Sequence, residues 1–339
     1  MKYLVTLKPR SKFFFGGDRT FTAQERQNYY AHSTHFPQQT ALLGMLRYAI
    51  LNERGFLEEE EEKEKLVGAT GFDLEAVSHG IIKTISPVFL LEKQAVWLSA
   101  GLDRQGDIVL KLSESKTLRL DGYDAKKGLS QYFISSDNSS ESLKKLDDFF
   151  KDNPQVGNAK DRKGQTQPDA FFKHNYKSFK RQEKINYESL FAFGFELETT
   201  EEIEFSKIKT VFLGAESSFT IELTPSNGIF ETIESTNQLL KAKEASNHKI
   251  VLLSDCFIPD LGVLKSYSSF ILTDKPVPFK FNINKQSDYY TSINRSNQYH
   301  LLSRGTVIYP KDITEVTELI EASIAFRTIG YNHYQIQAR

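Results

Sequence analysis

A single cysteine, Cys256, is all the chain has, so no internal disulfide can staple the fold and the sequence suits a reducing compartment. Long apolar runs are missing as well. Nothing approaches the ~18 consecutive apolar residues that a spanning helix needs, and Met1 to Arg10 lacks the basic segment and apolar stretch of a secretory leader. A cytoplasmic protein with no membrane partner is the expectation. Net charge is almost absent, at −1, so any affinity for nucleic acid has to come from local concentration of charge. The signatures of common catalytic classes are absent too: no phosphate loop ending in Gly-Lys-Ser/Thr, no dinucleotide glycine fingerprint, no nucleophile elbow and no His-Glu-x-x-His. No catalytic residue, metal or cofactor is expected.

What is present is a well-furnished interior. Apolar residues make up 39% and aromatics 12% of 339 residues, enough for a large core and more chain than one domain of about 150 residues uses. Two domains are expected, 1–185 and 186–339. Cys256 lies in the apolar stretch Val251 to Ile258 and reads as a buried structural thiol.

Charge comes in blocks. From Met1 to Arg54 there are eight basic residues (Lys2, Lys8, Arg10, Lys12, Arg19, Arg26, Arg47, Arg54) against three acidic ones, a net of plus five. Gly157 to Lys184 again carries eight against three. The balancing acid lies in Glu58 to Glu64 and Glu188 to Glu204, the pattern of a molecule with one basic face.

Tyr3 to Leu7 reads as a strand that Pro9 ends. Thr40 to Arg54 places Leu42, Leu43, Leu46, Ala49 and Ile50 at helical spacing, with Gly55 in the stop position. Glu58 to Glu64 has almost no apolar face and reads as a solvated helix extension or loop. Gln94 to Ala100 and Asp107 to Ser113 flank Arg104, Gln105 and Gly106 as a hairpin, and Ser135 to Ser142 reads as a loop. Residues 153–184 read as a long basic hairpin projecting from the body. Further strands are expected at Phe191 to Leu197, Thr210 to Leu213, Phe219 to Leu223, Lys249 to Leu253 and Gly305 to Tyr309, and a closing amphipathic helix at Ile313 to Phe326. Strands with few helices and no regular strand–helix alternation favour an α+β fold.

Four segments carry candidate chemistry. In Phe13 to Phe21 (FFFGGDRTF), Gly16 and Gly17 allow close backbone approach and Arg19 offers a cation for phosphate; an ordinary turn is the competing reading. Its Gly-Gly-Asp is not a metal-binding cyclase turn, because Arg19 follows Asp18 where a second carboxylate is required. His32 and His35 can be general acid and base for metal-independent RNA cleavage; the competing reading gives one a capping or packing role and leaves the other exposed. Arg47 stands at the edge of the first helix's apolar stripe, either solvated or poised for a phosphate. In the hairpin, Lys160, Arg162, Lys163, Lys173, Lys177 and Lys180 interleave with Phe171, Phe172, His174, Tyr176 and Phe179. Single-stranded RNA offers phosphates to such cations and bases to such rings, while a solvated amphipathic hairpin has the same composition. Arg295, Arg304 and Arg327 repeat the pattern more sparsely among Tyr290, Tyr299, His300, Tyr331 and His333.

Together these segments resemble the RAMP superfamily of CRISPR-associated proteins, most closely the third-subunit family of the type III-B Cmr complex. Phe14 to Phe21 is similar to its opening glycine loop, and His35 to Arg47 (HFPQQTALLGMLR) to its turn into a first helix containing Gly44 and Arg47. Val156 to Tyr176 is similar to its glycine and base hairpin, and Phe212 to Glu216 (FLGAE) to its Leu-Gly-Gly-Glu turn. Ala215 departs from the second glycine, and Gln38 and Gln39 stand where proline is frequent. The resemblance implies two ferredoxin-like, RRM-like domains with glycine-rich loops and the hairpin as a thumb. It implies a non-catalytic subunit that grips the repeat-derived 5′ tag of guide RNA and docks on the large cyclase-type subunit and the first backbone subunit. Gly16, Gly17, Arg19, Gly44 and Arg47 would line the tag site. Two other readings remain: a repeat-RNA endonuclease of the same superfamily using His32 or His35, and a scaffold that touches proteins only.

Overall fold

The computed structural model describes residues 1–16, 19–20, 29–68, 72–74, 78–112, 118–119, 124–136, 143–158, 160, 162–165, 172–180, 190–215, 217–241, 247–286 and 291–339. At 19–20, 29, 60, 112, 118–119, 172, 282–286 and 291–295 it describes the backbone alone. The chain opens with β1 (Lys2–Pro9), β2 (Arg19–Thr20) and β3 (Tyr29–His32), then α1 (Gln39–Arg54) and α2 (Glu60–Val67). Next come β4 (Ile82–Ile85), β5 (Phe89–Glu92), β6 (Ala95–Gln105), β7 (Ile108–Val109), β8 (Lys111–Leu112) and β9 (Leu118–Arg119). β10 (Ser130–Ser135), β11 (Leu143–Lys145) and the single turn α3 (Leu146–Phe149) lead into a hairpin, β12 (Phe150–Gly157) and β13 (Phe172–Phe179). The middle of the chain supplies β14 (Phe191–Thr199), β15 (Thr210–Phe212) and β16 (Ser218–Pro225). The remainder begins with α4 (Ile229–Lys241), β17 (His248–Leu252), α5 (Leu261–Ser266), β18 (Ser268–Leu272) and β19 (Val277–Phe279). β20 (Asn282–Gln286), β21 (Thr291–Arg295), β22 (Tyr299–Leu301), β23 (Val307–Pro310), α6 (Ile313–Glu321), α7 (Ile324–Thr328) and β24 (Tyr334–Ala338) complete it.

The architecture is α+β with mostly antiparallel sheets, as the alternation of strands with few helices suggests. One large sheet runs β11-β10-β6-β5-β14-β1-β16-β15, with β4 extending β5 along the same edge of β14. A smaller one runs β18-β23-β17-β24. The two obey one connection rule. In the large sheet β1 is followed by α1, β4–β5, β14 and β16, and β1 lies between β14 and β16. In the small sheet β17 is followed by α5, β18, β23, α6 and β24, and β17 lies between β23 and β24. β1 therefore pairs with strands on the far side of residue 185: Val5 opposes Phe195 and Leu223. Among the described residues of 200–217, where the small sheet's second helix has its counterpart, there is no helix. No described helix is long and apolar enough to cross a membrane.

Alternation explains β1. Val5 and Leu7 are fully buried and join the apolar stripe of α1, Leu42, Leu46, Ala49 and Ile50, in one core with Phe193, Phe195 and Phe219. α1 starts one residue before the expected Thr40 and stops at Gly55, whose φ of 80° closes the helix in the left-handed region. The acidic run does not extend α1. It contributes to a separate helix, α2, in which Lys65 reaches Glu62 at 2.6 Å. The closing helix is broken in two, because its apolar residues serve two cores: Ile313, Val316 and Ile320 pack beneath the small sheet, and Phe326 enters the larger cluster. The hairpin of the first half turns later than expected, at Gly106 and Asp107, since β6 runs through Arg104 and Gln105. Cys256 is fully buried, and burial raises its thiol pKa.

The sheets are joined by a buried polar contact. Asp103 of β6 accepts hydrogen bonds from Lys249 Nζ of β17 at 2.6 Å and Tyr309 OH of β23 at 2.9 Å.

Three histidines titrate against the fold. Burial lowers the pKa of His35, His79 and His333 from 6.5 to about 4, with Lys177, Arg47 and Arg327 respectively adding to the effect. The folded pKa lies below the unfolded one, so this stability is complete above pH 6.5 and is lost as pH falls toward 4. Urea denaturation is expected to show roughly 1–2 kcal/mol less stability per histidine at pH 5 than at pH 7. A stability flat between those values would contradict it.

Candidate nucleic-acid interface

The basic hairpin does not stand alone. β12 and β13 pair from Phe150↔Phe179 to Gly157↔Phe172, and β13 continues into β3, which pairs with β2, to give a four-stranded sheet β12-β13-β3-β2. One row of that sheet runs Arg19–Ala31–His174–Gln155, and its neighbour Thr20–Tyr30–Lys173–Val156. Two stretches about 150 residues apart in sequence thus share one ladder, because β13 offers an unpaired edge that the strand after the glycine loop takes up in parallel.

The loop before β2 is tied down by several hydrogen bonds. Phe13 exchanges backbone bonds with Lys177 at 2.7 and 2.9 Å. Phe14 N donates to Ser217 Oγ at 3.0 Å, and the Gly16 carbonyl accepts from Thr34 N at 3.0 Å. Gly16 adopts φ 72°, open to glycine at little cost. Gly17 lies outside the described residues, as does Glu216 of the FLGAE turn. The rings of Phe14, His174 and Tyr176 gather at 5.4–5.5 Å from Phe14. Tyr176 is buried, with Lys12 Nζ 4.2 Å above its ring, so its outer face carries a cation. Lys173 is exposed and lies 5.0 Å from the Tyr30 ring. At the hairpin's tip, Lys160, Arg162 and Lys163 are exposed beside Gly164 at φ 80°, and Lys180 is exposed at its base. Phe171 is outside the described residues. Lys177 is engaged by Asp152.

The remaining candidates go elsewhere. Arg47 donates to the Gly68 carbonyl at 2.9 Å and is half-buried, with its pKa lowered by burial, so it holds the loop after α2. Gly44 is exposed on α1 with nothing near the position a Cβ would take. Arg304 turns inward: its guanidinium bonds the Val88 carbonyl and stacks 4.0 Å from the Phe36 ring, and burial lowers its pKa to about 10. The surface role expected of Arg304 gives way to that packing. Arg295 is on β21, paired with Asn282. His32 is exposed on β3, while His35 packs against Phe150 at 5.1 Å. Among the described residues no group of three or more His, Cys, Asp or Glu could hold a metal ion. Lys12 and Tyr30 are members of the site that the sequence reading did not single out; the only signal was a lysine directly before the aromatic-glycine string.

The profile of the family described as CRISPR-associated protein (Cas_Cmr3) matches residues 5–116 and 99–337. Comparison with curated proteins finds no match. Among solved structures, the chain is similar to one in the cryo-EM structure of the Type III-B Cmr-beta bound to cognate target RNA, with TM-score 0.54 and 13% identity over 100% of this chain and 99% of that one. A second likeness, in the same assembly bound to cognate target RNA and AMPPnP, has TM-score 0.53 and 13% identity over 98% and 96%. At such identity these likenesses speak for the fold, and the family profile spans nearly the whole sequence. The chain belongs to the Cas_Cmr3 family of CRISPR-associated proteins, subunits of the type III-B effector complex.

Proposed function

We propose that this protein is a non-catalytic subunit that grips the repeat-derived 5′ tag of a guide RNA and joins the large cyclase-type subunit to the first backbone subunit. One observation carries the reading: the β3–β13 pairing puts the strand after the glycine loop and the lysine-rich strand in one small sheet. Exposed cations there neutralise phosphates, and ring faces accept splayed bases. Gly16, the β2 backbone at Arg19, Lys173 and His174 line the tag site in this reading, and the hairpin is the thumb. The two four-strand cores are ferredoxin-like units in this reading, the first closing with β16, so the seam follows Pro225. That structures of similar chains hold target RNA agrees with an RNA-handling assembly.

In the nuclease alternative His35 is unsuited to be the general acid, which leaves that role to His32. With its pKa lowered to about 4 by burial, His35 is neutral at physiological pH and a poor proton donor to a leaving oxygen.

Replacing Lys160, Arg162, Lys163 and Lys173 together with glutamine tests the proposal. Each phosphate contact on a single strand contributes ~0.7 to the slope of log affinity against log salt. The variant is expected to bind single-stranded repeat RNA 10- to 100-fold more weakly near physiological salt, on the order estimated for several phosphate contacts, with a slope shallower by about two to three. Unchanged affinity and slope would remove the hairpin from the RNA path.

A further inference from the structure

The two faces of the large sheet are covered unequally. On one, Val5, Leu7, Val211, Phe219 and Ile221 lie in the core shared with α1. On the other, α4 lays Phe230 and Ile233 over Phe89, Leu91 and Ala192. That second cover reaches β1 at Leu4 and includes no described residue of β15 or β16, so it leaves the far end of the sheet uncovered. There Lys8 opposes Thr220, which opposes Thr210. One step along, Arg10 N donates to Ser218 O at 3.0 Å, and Ser218 opposes Phe212. Directly opposed residues share a face, as do alternate residues on a strand. Arg10, Ser218 and Phe212 therefore form one row on an open ledge.

Phe212 is 72% exposed. A lone exposed apolar residue is unremarkable on a protein surface. This one is held by a paired strand and shares its row with a cation. Lys8, Arg10 and Lys12 are all exposed. Alternate residues on a strand stand about 6.7 Å apart, so successive cations can reach successive phosphates of an extended chain. Glu222, 3.6 Å from Lys8, opposes them, but a pair this exposed is weak and yields to a phosphate.

We propose that this ledge is a second subsite for the same single strand, with Phe212 stacking one base and Arg10 and Lys8 holding its flanking phosphates. The proposal rests on the RNA-binding reading above and extends its path. Continuity supports it. From Arg10 the chain runs to Lys12, which caps Tyr176 in the hairpin sheet, and Phe14 is bonded to Ser217 next to the ledge. The surroundings favour RNA over protein, because a protein hot spot seats its aromatic in an apolar pocket, and Phe212 has Ser218, Thr210 and Thr220 around it.

The test is anisotropy of the full-length chain with single-stranded repeat RNA, scanning one abasic nucleotide along the strand. Phe212→Leu is expected to weaken binding about tenfold, within the range for one stacked base, and Phe212→Tyr to stay within about twofold of wild type. At one position the abasic substitution weakens wild type and leaves Phe212→Leu unaffected. Arg10→Gln flattens the salt slope by about 0.7. If Phe212→Leu binds like wild type while the hairpin variant loses RNA, the ledge is no subsite and the hairpin reading stands. If both bind like wild type, both fail. If Phe212→Leu keeps its RNA affinity but loses a copurifying subunit, the ledge is a protein contact and the proposal is overturned.

Discussion

Asp103→Ala is expected to cost about 3–5 kcal/mol of folding stability, the usual penalty for removing one partner of a buried ion pair. Asp103 is fully buried and Lys249 is nearly so. Without the carboxylate, the ammonium of Lys249 keeps its desolvation cost and loses both attraction and acceptor. Burial already lowers its pKa despite the neighbouring Asp103. Tyr309 would lose its partner as well; burial first, and then Asp103, raises its pKa. The loss also spreads across the molecule, because β6 belongs to the large sheet and β17 and β23 to the small one. Gly101 of β6 lies so close that a Cβ there would meet Val307 at 2.8 Å. Urea denaturation measures the effect. The double change Asp103→Leu with Lys249→Met is expected to recover most of it, since an apolar pair of similar volume carries no charge to desolvate. A loss below about 1 kcal/mol for Asp103→Ala would show that water or a rearranged side chain replaces the carboxylate.

What the sequence could reveal was set by the range of each signal. α1 was legible because apolar spacing and a terminal glycine are local. The basic hairpin was legible from composition. The partners of β1 were not, since no local period tells Val5 that it will oppose Phe195 and Leu223. For that reason the division at 185 separates strands that the large sheet joins. α4 went unread: Phe230, Ile233 and Asn237 are its buried residues, and a buried asparagine interrupts an apolar stripe. Asn237 is there because it bonds Tyr334 O and Ile336 N of β24, at 2.9 and 2.8 Å. Arginines were the least legible, as the guanidinium suits surface and interior alike. Arg304 stacks on Phe36 and Arg47 bonds a carbonyl, and neither fate is visible in flanking residues.

The turn at Gly214 links stability to the proposed site. Its φ is 78°, and an added Cβ would fall inside the contact radius of the Phe14 carbonyl oxygen and 3.1 Å from the Phe15 ring. Ala215 N donates to that same carbonyl at 2.9 Å. A side chain at 214 must therefore push the Phe13–Gly16 segment away from the turn or shift the turn itself. Gly214→Ala is expected to cost about 2–4 kcal/mol, of which about 1 kcal/mol is the left-handed backbone and the rest the clash. Two controls separate these contributions. Gly16→Ala has the same backbone sign and open space, and Gly228→Ala meets only the flexible end of Glu231 at 3.2 Å, so each is expected to lose about 1 kcal/mol. RNA affinity adds the functional half. Measured where all three variants are folded, binding is expected to fall for Gly214→Ala and to hold for Gly228→Ala, because only the former displaces the loop that leads into β2. Equal binding by these two variants would mean that the position of that loop does not matter to RNA.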